Sequence, residues 1–267
     1  MKIEAILTPA DLPALARRDL RGAACVVFDV LRATSAFVTA LHYGANAVIP
    51  AAEISEELAF KKSESGIRNP ESVLLAGERD GLKIRAAQTG GTDFDLGNSP
   101  REFTPERVRS RTIVSTTTNG TRALHACAGA QTVLAGCFLN LGATAEFILH
   151  LQPTEVLLVC AGTRENRADE DVLAAGAFCE MLSVGSSRCD DRTAQRAVPT
   201  QISDSAEIAR HAWAQSKSDL AGAVRNSENG RRLLAIPELR DDVAFCLQRD
   251  IFPLVARMEA DGAIRRQ

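Results

Sequence analysis

The chain has 267 residues, enough for one large α/β domain or two small ones with a sizeable core. Hydrophobic residues make up 45% and charged residues 24%, an ordinary globular balance, and 31 Lys and Arg against 34 Asp and Glu leave a net charge of −3. With no basic tail or run, nucleic acid has no electrostatic footprint as a partner. No apolar run approaches the ~18 residues of a membrane span. The opening residues, acidic at Glu4 and without an apolar core, do not read as a signal peptide. Seven scattered cysteines lack C-x-x-C spacing and sit mostly in apolar runs, so they read as small buried hydrophobes of a reducing, cytoplasmic protein. Four histidines without H-x-x-x-H spacing argue against a zinc enzyme.

In chain order, short β-rich apolar runs alternate with longer stretches of helical periodicity. Strands are expected at residues 23–30, 46–50, 73–76, 112–116, 132–135 and 155–159. Helices are expected at 31–43, 53–65, 120–128, 141–151 and 170–182. This alternation predicts an α/β fold, layered α/β/α around a mixed, largely parallel sheet. From residue 203 to 257 the pattern is helical and more polar. A single domain over 1–267 is expected, and any subdivision would fall in the Ser-, Gly-, Arg- and Asp-rich connection at 183–200.

Sites in open α/β sheets form beyond the carboxyl ends of strands. Several segments place polar residues there. Asp29 ends the run Val26-Val27-Phe28, where a carboxylate is partly desolvated and needs a cation or several donors. Arg32 follows with a guanidinium suited to an oxyanion, and Thr34 and Ser35 are placed to cap the next helix. The plain alternative makes Asp29 a helix N-cap paired with Arg32. At Gly77-Glu78-Arg79-Asp80-Gly81, adjacent Glu78 and Arg79 face opposite ways on a strand, so one points into a cleft unless the segment is only a solvated turn. Asp95-Leu96-Gly97-Asn98-Ser99-Pro100 is either an anion-binding nest or a turn.

The segment Thr116-Thr117-Thr118-Asn119-Gly120-Thr121-Arg122 takes a strand into a hydroxyl-rich loop at a helix start. Such a loop suits a phosphate or sulfonate, or serves as a plain cap. It is not a Walker A loop. Ala161-Gly162-Thr163 leaves another strand, and Asp169-Glu170-Asp171 opens the next helix. The helix dipole alone favours those acids, although Glu170 or Asp171 could still face the cleft as a metal ligand. Oxygen ligands without clustered Cys or His favour Mg²⁺ or Mn²⁺, and a carboxylate-held Mg²⁺ beside an oxyanion loop suits phosphoryl chemistry. A haloacid-dehalogenase-type phosphatase needs D-x-D, but Leu31 stands two residues after Asp29.

Taken in order, these segments resemble the 2-phosphosulfolactate phosphatase family, often called ComB-like. The resemblance rests on Asp29 to Ser35, Gly77-Glu78-Arg79, Phe94 to Pro100, Thr116 to Arg122, Ala161-Gly162-Thr163 with Asp171, and Phe245 to Asp250. It spans almost the whole chain. It implies a ComB-like α/β architecture and a Mg²⁺-dependent phosphoric monoester hydrolase. That enzyme converts 2-phospho-3-sulfolactate, or a related small acidic phosphate ester, to 3-sulfolactate and phosphate, a step of coenzyme M formation. It further implies Asp29, Arg32, Glu78, Arg79 and Asp171 as catalytic residues, with Asp29, Glu78 and Asp171 on the metal. Asp95, Asn98, Ser99, Thr117, Thr118, Asn119, Gly120, Thr121 and Arg122 would contact the substrate. A homodimer is compatible with it. One departure is residues 85–93, where the family pattern has only one or two residues, so this stretch is either a lid or an inert excursion. The competing reading is a non-catalytic binder of an anionic metabolite. Against it, Asp29, Glu78 and Asp171 would repel an anion unless a cation intervened.

Overall fold

The computed structural model describes residues 1–62, 72–185 and 200–267. Eleven strands are β1 (Lys2–Ile6), β2 (Ala23–Phe28), β3 (Ala47–Pro50), β4 (Val73–Arg79), β5 (Leu82–Lys83), β6 (Thr112–Thr116), β7 (Thr132–Gly136), β8 (Glu155–Cys160), β9 (Gln201–Ile202), β10 (Ala256–Met258) and β11 (Ile264–Arg266). The helices are α1 (Leu12–Leu15), α2 (Ala33–His42), α3 (Ile54–Lys62), α4 (Ala86–Thr89), α5 (Pro105–Val108), α6 (Gly120–Ala126), α7 (Leu141–Leu151), α8 (Asp169–Gly185), α9 (Asp204–Ser216), α10 (Leu220–Arg225), α11 (Glu228–Leu234) and α12 (Arg240–Cys246).

The strands form one mixed, largely parallel sheet in the order β5-β4-β6-β3-β11-β10-β7-β2-β8-β1-β9. An interior strand of the sheet is β2, whose six residues are all buried, as a strand covered on both faces must be. Its alternate side chains serve two cores. Cys25 and Val27 pack with Phe37 and Ala40 of α2 and Leu124 of α6. Ala24, Val26 and Phe28 pack with Ile148 of α7 and Phe178 of α8. This period of two is what gives the fold its α/β/α layers.

All six expected strands and all five expected helices are present, with ends moved by a few residues. The helix expected at 53–65 is described as far as Lys62, and most of the connection expected at 183–200 lies outside the described residues. Besides short elements such as β5, β9, α1, α4 and α5, two larger features were not foreseen. One is β1, where Lys2 and Glu4 break the apolar run. Lys2 bonds Glu4 at 2.8 Å and Glu155 at 2.9 Å, and Arg18 reaches Glu4 at 2.7 Å. The other is the β10–β11 hairpin, antiparallel within itself and to both neighbours, β7 and β3. Its turn holds Asp261-Gly262 with Gly262 at φ +80°, a short-range hairpin signal that was present in the sequence.

That hairpin matters for the site. It separates the parallel group β4-β6-β3 from the parallel group β7-β2-β8-β1-β9. On a flat sheet β6 would lie about 24 Å from β2, five places away. Yet α6, which follows β6, packs against β2. The sheet therefore curves enough for the loops after β6 and β2 to meet.

On the opposite face α8 packs against α9 at Gly176. A Cβ there would stand 2.1 Å from the Ala209 carbonyl oxygen. Gly176→Ala should gain about 1 kcal/mol in helix propensity but lose more to overpacking, which typically costs about 1–3 kcal/mol. A lower urea midpoint than wild type is the expected result, and an equal or higher one would show that α9 can retreat without cost.

Candidate active site

Asp29 stands just past the end of β2 and is buried. Its Oδ1 accepts from Ala33 N at 3.1 Å, at the start of α2. Its own backbone is pinned by Thr34, whose hydroxyl donates to the Asp29 carbonyl at 2.9 Å and accepts from Asp29 N at 3.1 Å. Ser35 donates in the same way to the Val30 carbonyl at 2.8 Å. Thr34 and Ser35 thus brace the turn between β2 and α2 instead of capping α2 as expected. Oδ2 of Asp29 faces Gly120, where a Cβ would come within 2.7 Å of it and of Ala33 Cβ. Only glycine lets the Thr-rich loop approach this closely.

Burial raises the Asp29 carboxyl to about 7. Ala33 N opposes the shift, while the charges of Glu78 and Glu170 add to it. Glu170 and Asp171, at the start of α8, are also raised, each first by burial. Neither stands open to the cavity in the same manner. Asp171 Oδ1 accepts from Val30 N at 2.8 Å and its Oδ2 from Gly162 N at 3.0 Å. Glu170 Oε1 accepts from Asn229 Nδ2 at 2.6 Å, and its Oε2 is buried without a partner.

Glu78 comes from the end of β4, which runs through Arg79 before turning at Asp80-Gly81 into β5. Alternation along the strand sends the adjacent pair apart. Glu78 lines a polar cavity of about 40 Å³ together with Asp29, Arg32, Asn98, Thr117, Thr118, Asn119, Asn229 and Arg232. Arg79 lines a separate cavity of about 590 Å³ with Thr121, Arg122 and His125. Thr117 and Thr118 wall both.

Not every expected substrate contact reaches the smaller cavity. Asp95 Oδ2 accepts from Leu75 N at 2.8 Å and pairs with Lys61 at 3.1 Å, which ties its turn to β4. Ser99 donates to Asp242 at 2.6 Å, while its neighbour Asn98 does face the cavity. Thr121 clasps Thr117 through their hydroxyls at 3.1 Å. Thr118 gives both its N–H, at 2.9 Å, and its hydroxyl, at 2.8 Å, to Glu78 Oε1. The hydroxyl-rich loop is thus partly occupied by a carboxylate of the protein itself. Residues 85–93 form a small closed excursion around α4. Ala86 N bonds Asp93 at 2.9 Å, and none of these residues lines either cavity.

Asp242, Asn229, Arg232 and Arg164 of the site were not singled out from sequence. Asp242 is fully buried and pairs with Arg32 at 2.8 Å, whereas the plain alternative for this turn had paired Arg32 with Asp29. Asn229 and Arg232 reach the cavity from α11. That helix has only seven residues, too short for its apolar period to mark which face turns inward.

Among the described residues, no three His, Cys, Asp or Glu side chains are grouped to hold a metal ion. Asp29 and Glu78 nonetheless share one cavity, and the repulsion acting on Asp29 is the kind a cation relieves. Mg²⁺ commonly takes one or two carboxylates, with waters and substrate phosphate completing its shell. The donor set fits that arrangement.

A family model described as 2-phosphosulpholactate phosphatase matches residues 7–261. The chain belongs to the 2-phosphosulfolactate phosphatase family. A protein of Caldanaerobacter subterraneus subsp. tengcongensis named "Probable 2-phosphosulfolactate phosphatase" is 35% identical over 248 residues, covering 93% of this chain and 92% of its own. Proteins of the same name from Pseudothermotoga lettingae and a Synechococcus strain are each 37% identical, over 91% and 96% of this chain and 92% and 93% of theirs. Of the residues on which the resemblance rests, Asp29, Arg32, Glu78, Asn98, Thr117, Thr118 and Asn119 wall the polar cavity.

The pair of Arg32 and Asp242 offers a direct test of how the cavity is held. Asp242→Ala leaves a buried guanidinium without its partner and should cost about 3–5 kcal/mol of stability. Chemical unfolding of the variant measures it, and a loss below about 1 kcal/mol would mean that Arg32 finds water or another acceptor.

Proposed function

We propose that this chain is a Mg²⁺-dependent hydrolase of 2-phospho-3-sulfolactate, releasing phosphate and 3-sulfolactate. The observation that carries the reading is Asp29. It is a buried strand-end carboxylate that lines a polar cavity, in a chain whose family and relatives bear that activity in their names.

In this reading Asp29 and Glu78 hold the cation, which when bound neutralises charge on the transferring phosphoryl group. Asp171 acts from behind, fixing the backbone N–H groups of Val30 and Gly162 so that the turn carrying Asp29 cannot shift. Glu78 is itself fixed by Thr118 and by Gly81 N at 2.7 Å. Asn98 and Asn119 present carboxamides to the phosphate oxygens. Water attacks phosphorus in line with the ester oxygen, and the P–O ester bond breaks as the new one forms. In this reading the attack is direct, since the second acid that serves the phospho-aspartate route in haloacid-dehalogenase-type enzymes is replaced here by Leu31. A phosphorylated Asp29 trapped during turnover would overturn that choice.

The deciding experiment is phosphate release from 2-phosphosulfolactate by the purified protein with Mg²⁺ and after chelation. Activity should need the ion, and Asp29→Asn should lower kcat/KM by at least about 100-fold while leaving the protein folded. Full turnover in chelator, or an active Asp29→Asn, would reject the metal-centred reading. No turnover under any condition would favour an anion binder.

A further inference from the structure

The cavity is rich in acid. Asp29, Glu78 and Asp80 line it, and Glu170 is close enough to raise the Asp29 carboxyl. A ligand with several negative charges enters such a place only against a cation that is free to meet it. Of the guanidinium groups on the wall, Arg32 is committed to Asp242 at 2.8 Å and to the Gly81 carbonyl at 2.6 Å. Arg164 is exposed and pairs with Asp80 at 3.4 Å. Arg232 differs from both. Among the described residues it makes no ion pair, and its Nε is buried without a hydrogen-bond partner.

Asn229, one helical turn earlier on the same face of α11, repeats the pattern. It is 4% exposed, and its Nδ2 donates to Glu170 Oε1 at 2.6 Å and Thr163 Oγ1 at 2.5 Å. Its Oδ1, like Glu170 Oε2, is buried without a partner. Buried polar atoms are nearly always satisfied, so orphans on two neighbouring wall residues, Arg232 and Asn229, mark a site that something polar completes.

Resting on the phosphatase reading above, we infer that Arg232 is a specificity-determining residue that binds a non-reacting oxyanion of the substrate, its sulfonate or its carboxylate. Asn229 is the positioning residue that sets the α11 wall against Glu170 and Thr163. The phosphate is left to the Asp29 side of the cavity. A planar fork with open donors matches either oxyanion bidentately, which the three-donor ammonium of lysine does less well.

Phosphate release is measured with three esters: 2-phospho-3-sulfolactate, 2-phospholactate, which lacks the sulfonate, and 2-(phosphooxy)ethanesulfonate, which lacks the carboxylate. Arg232→Gln should raise KM for the first by about 10- to 100-fold, with kcat within about threefold and an unchanged urea midpoint. Arg232→Lys should recover part of the loss. The penalty should vanish on the ester missing the group that Arg232 holds, which identifies that group. An equal penalty on all three esters, a fall in kcat with KM unchanged, or no change at all would overturn the assignment. Calorimetric binding of 3-sulfolactate separates this from a failure of the phosphatase reading. If wild type hydrolyses no ester but binds 3-sulfolactate at least tenfold more tightly than Arg232→Gln does, the Arg232 site stands. Equal affinities, or no binding to wild type, would remove it.

Discussion

The geometry of the site depends on one buried cation. Arg32 is 3% exposed and its partner Asp242 fully buried, and through them four separate segments meet. Arg32 belongs to the turn after β2 and reaches the carbonyl of Gly81, in the turn between β4 and β5. Asp242 belongs to α12 and also receives the hydroxyl of Ser99. Such a pair is weak evidence of net stabilisation, because desolvating both charges offsets most of their attraction. It does enforce arrangement, since any packing that separates the two leaves a charge stranded in the interior. The turn that presents Asp29 and the turn braced by Glu78 are thereby held to one another and to the C-terminal helices.

The same pair bears on the electrostatics of Asp29, which burial raises and the charge of Arg32 only partly lowers. A carboxylate at a strand end would usually take the nearest guanidinium, three residues on. Because Arg32 is engaged by Asp242, Asp29 is left with a single backbone donor on Oδ1, and burial carries its carboxyl up to about 7. Glu78 solves the same problem differently, by accepting three donors from Gly81 and Thr118. Two acids in one cavity therefore differ in how far their charge is already satisfied, and Asp29 is the one with an oxygen to offer.

The layered architecture and its main strands were legible because buried parallel strands are continuous apolar runs and the intervening helices keep their period. Asp29, Glu78, Asn98, Thr117, Thr118 and Asn119 were legible for a related reason: each is polar at a place where an apolar run ends. The pairing of those residues was not. Arg32 finds its partner 210 positions away, and nothing local to either residue announces it. Arg79 and Arg122 illustrate the converse. Their spacing from Glu78 and Gly120 suggested one cleft, but alternation along β4 and the turn of α6 carry both to the neighbouring cavity. The β10–β11 hairpin is a third example, since it pairs the last strands of the sequence with β7 and β3, far earlier in it. Asn229 and Arg232 stayed hidden for want of helical length.

The polar cavity is walled by groups held with very different firmness. The sides built on Arg32 with Asp242 and on Glu78 with Thr118 are buried and hydrogen-bonded on several atoms, and moving either strands a charge. The side closed by Arg164 and Asp80 is held at 3.4 Å by a pair 73% and 83% exposed. An exposed pair contributes only about 0–1 kcal/mol. Both residues sit at backbone positions with positive φ, Asp80 at 54° and Arg164 at 55°, in tight turns and not in the strands themselves. These turns lie on the same cavity as the unpaired guanidinium of Arg232. The firm walls thus coincide with the groups that must keep their geometry during phosphoryl transfer, and the weak wall does not.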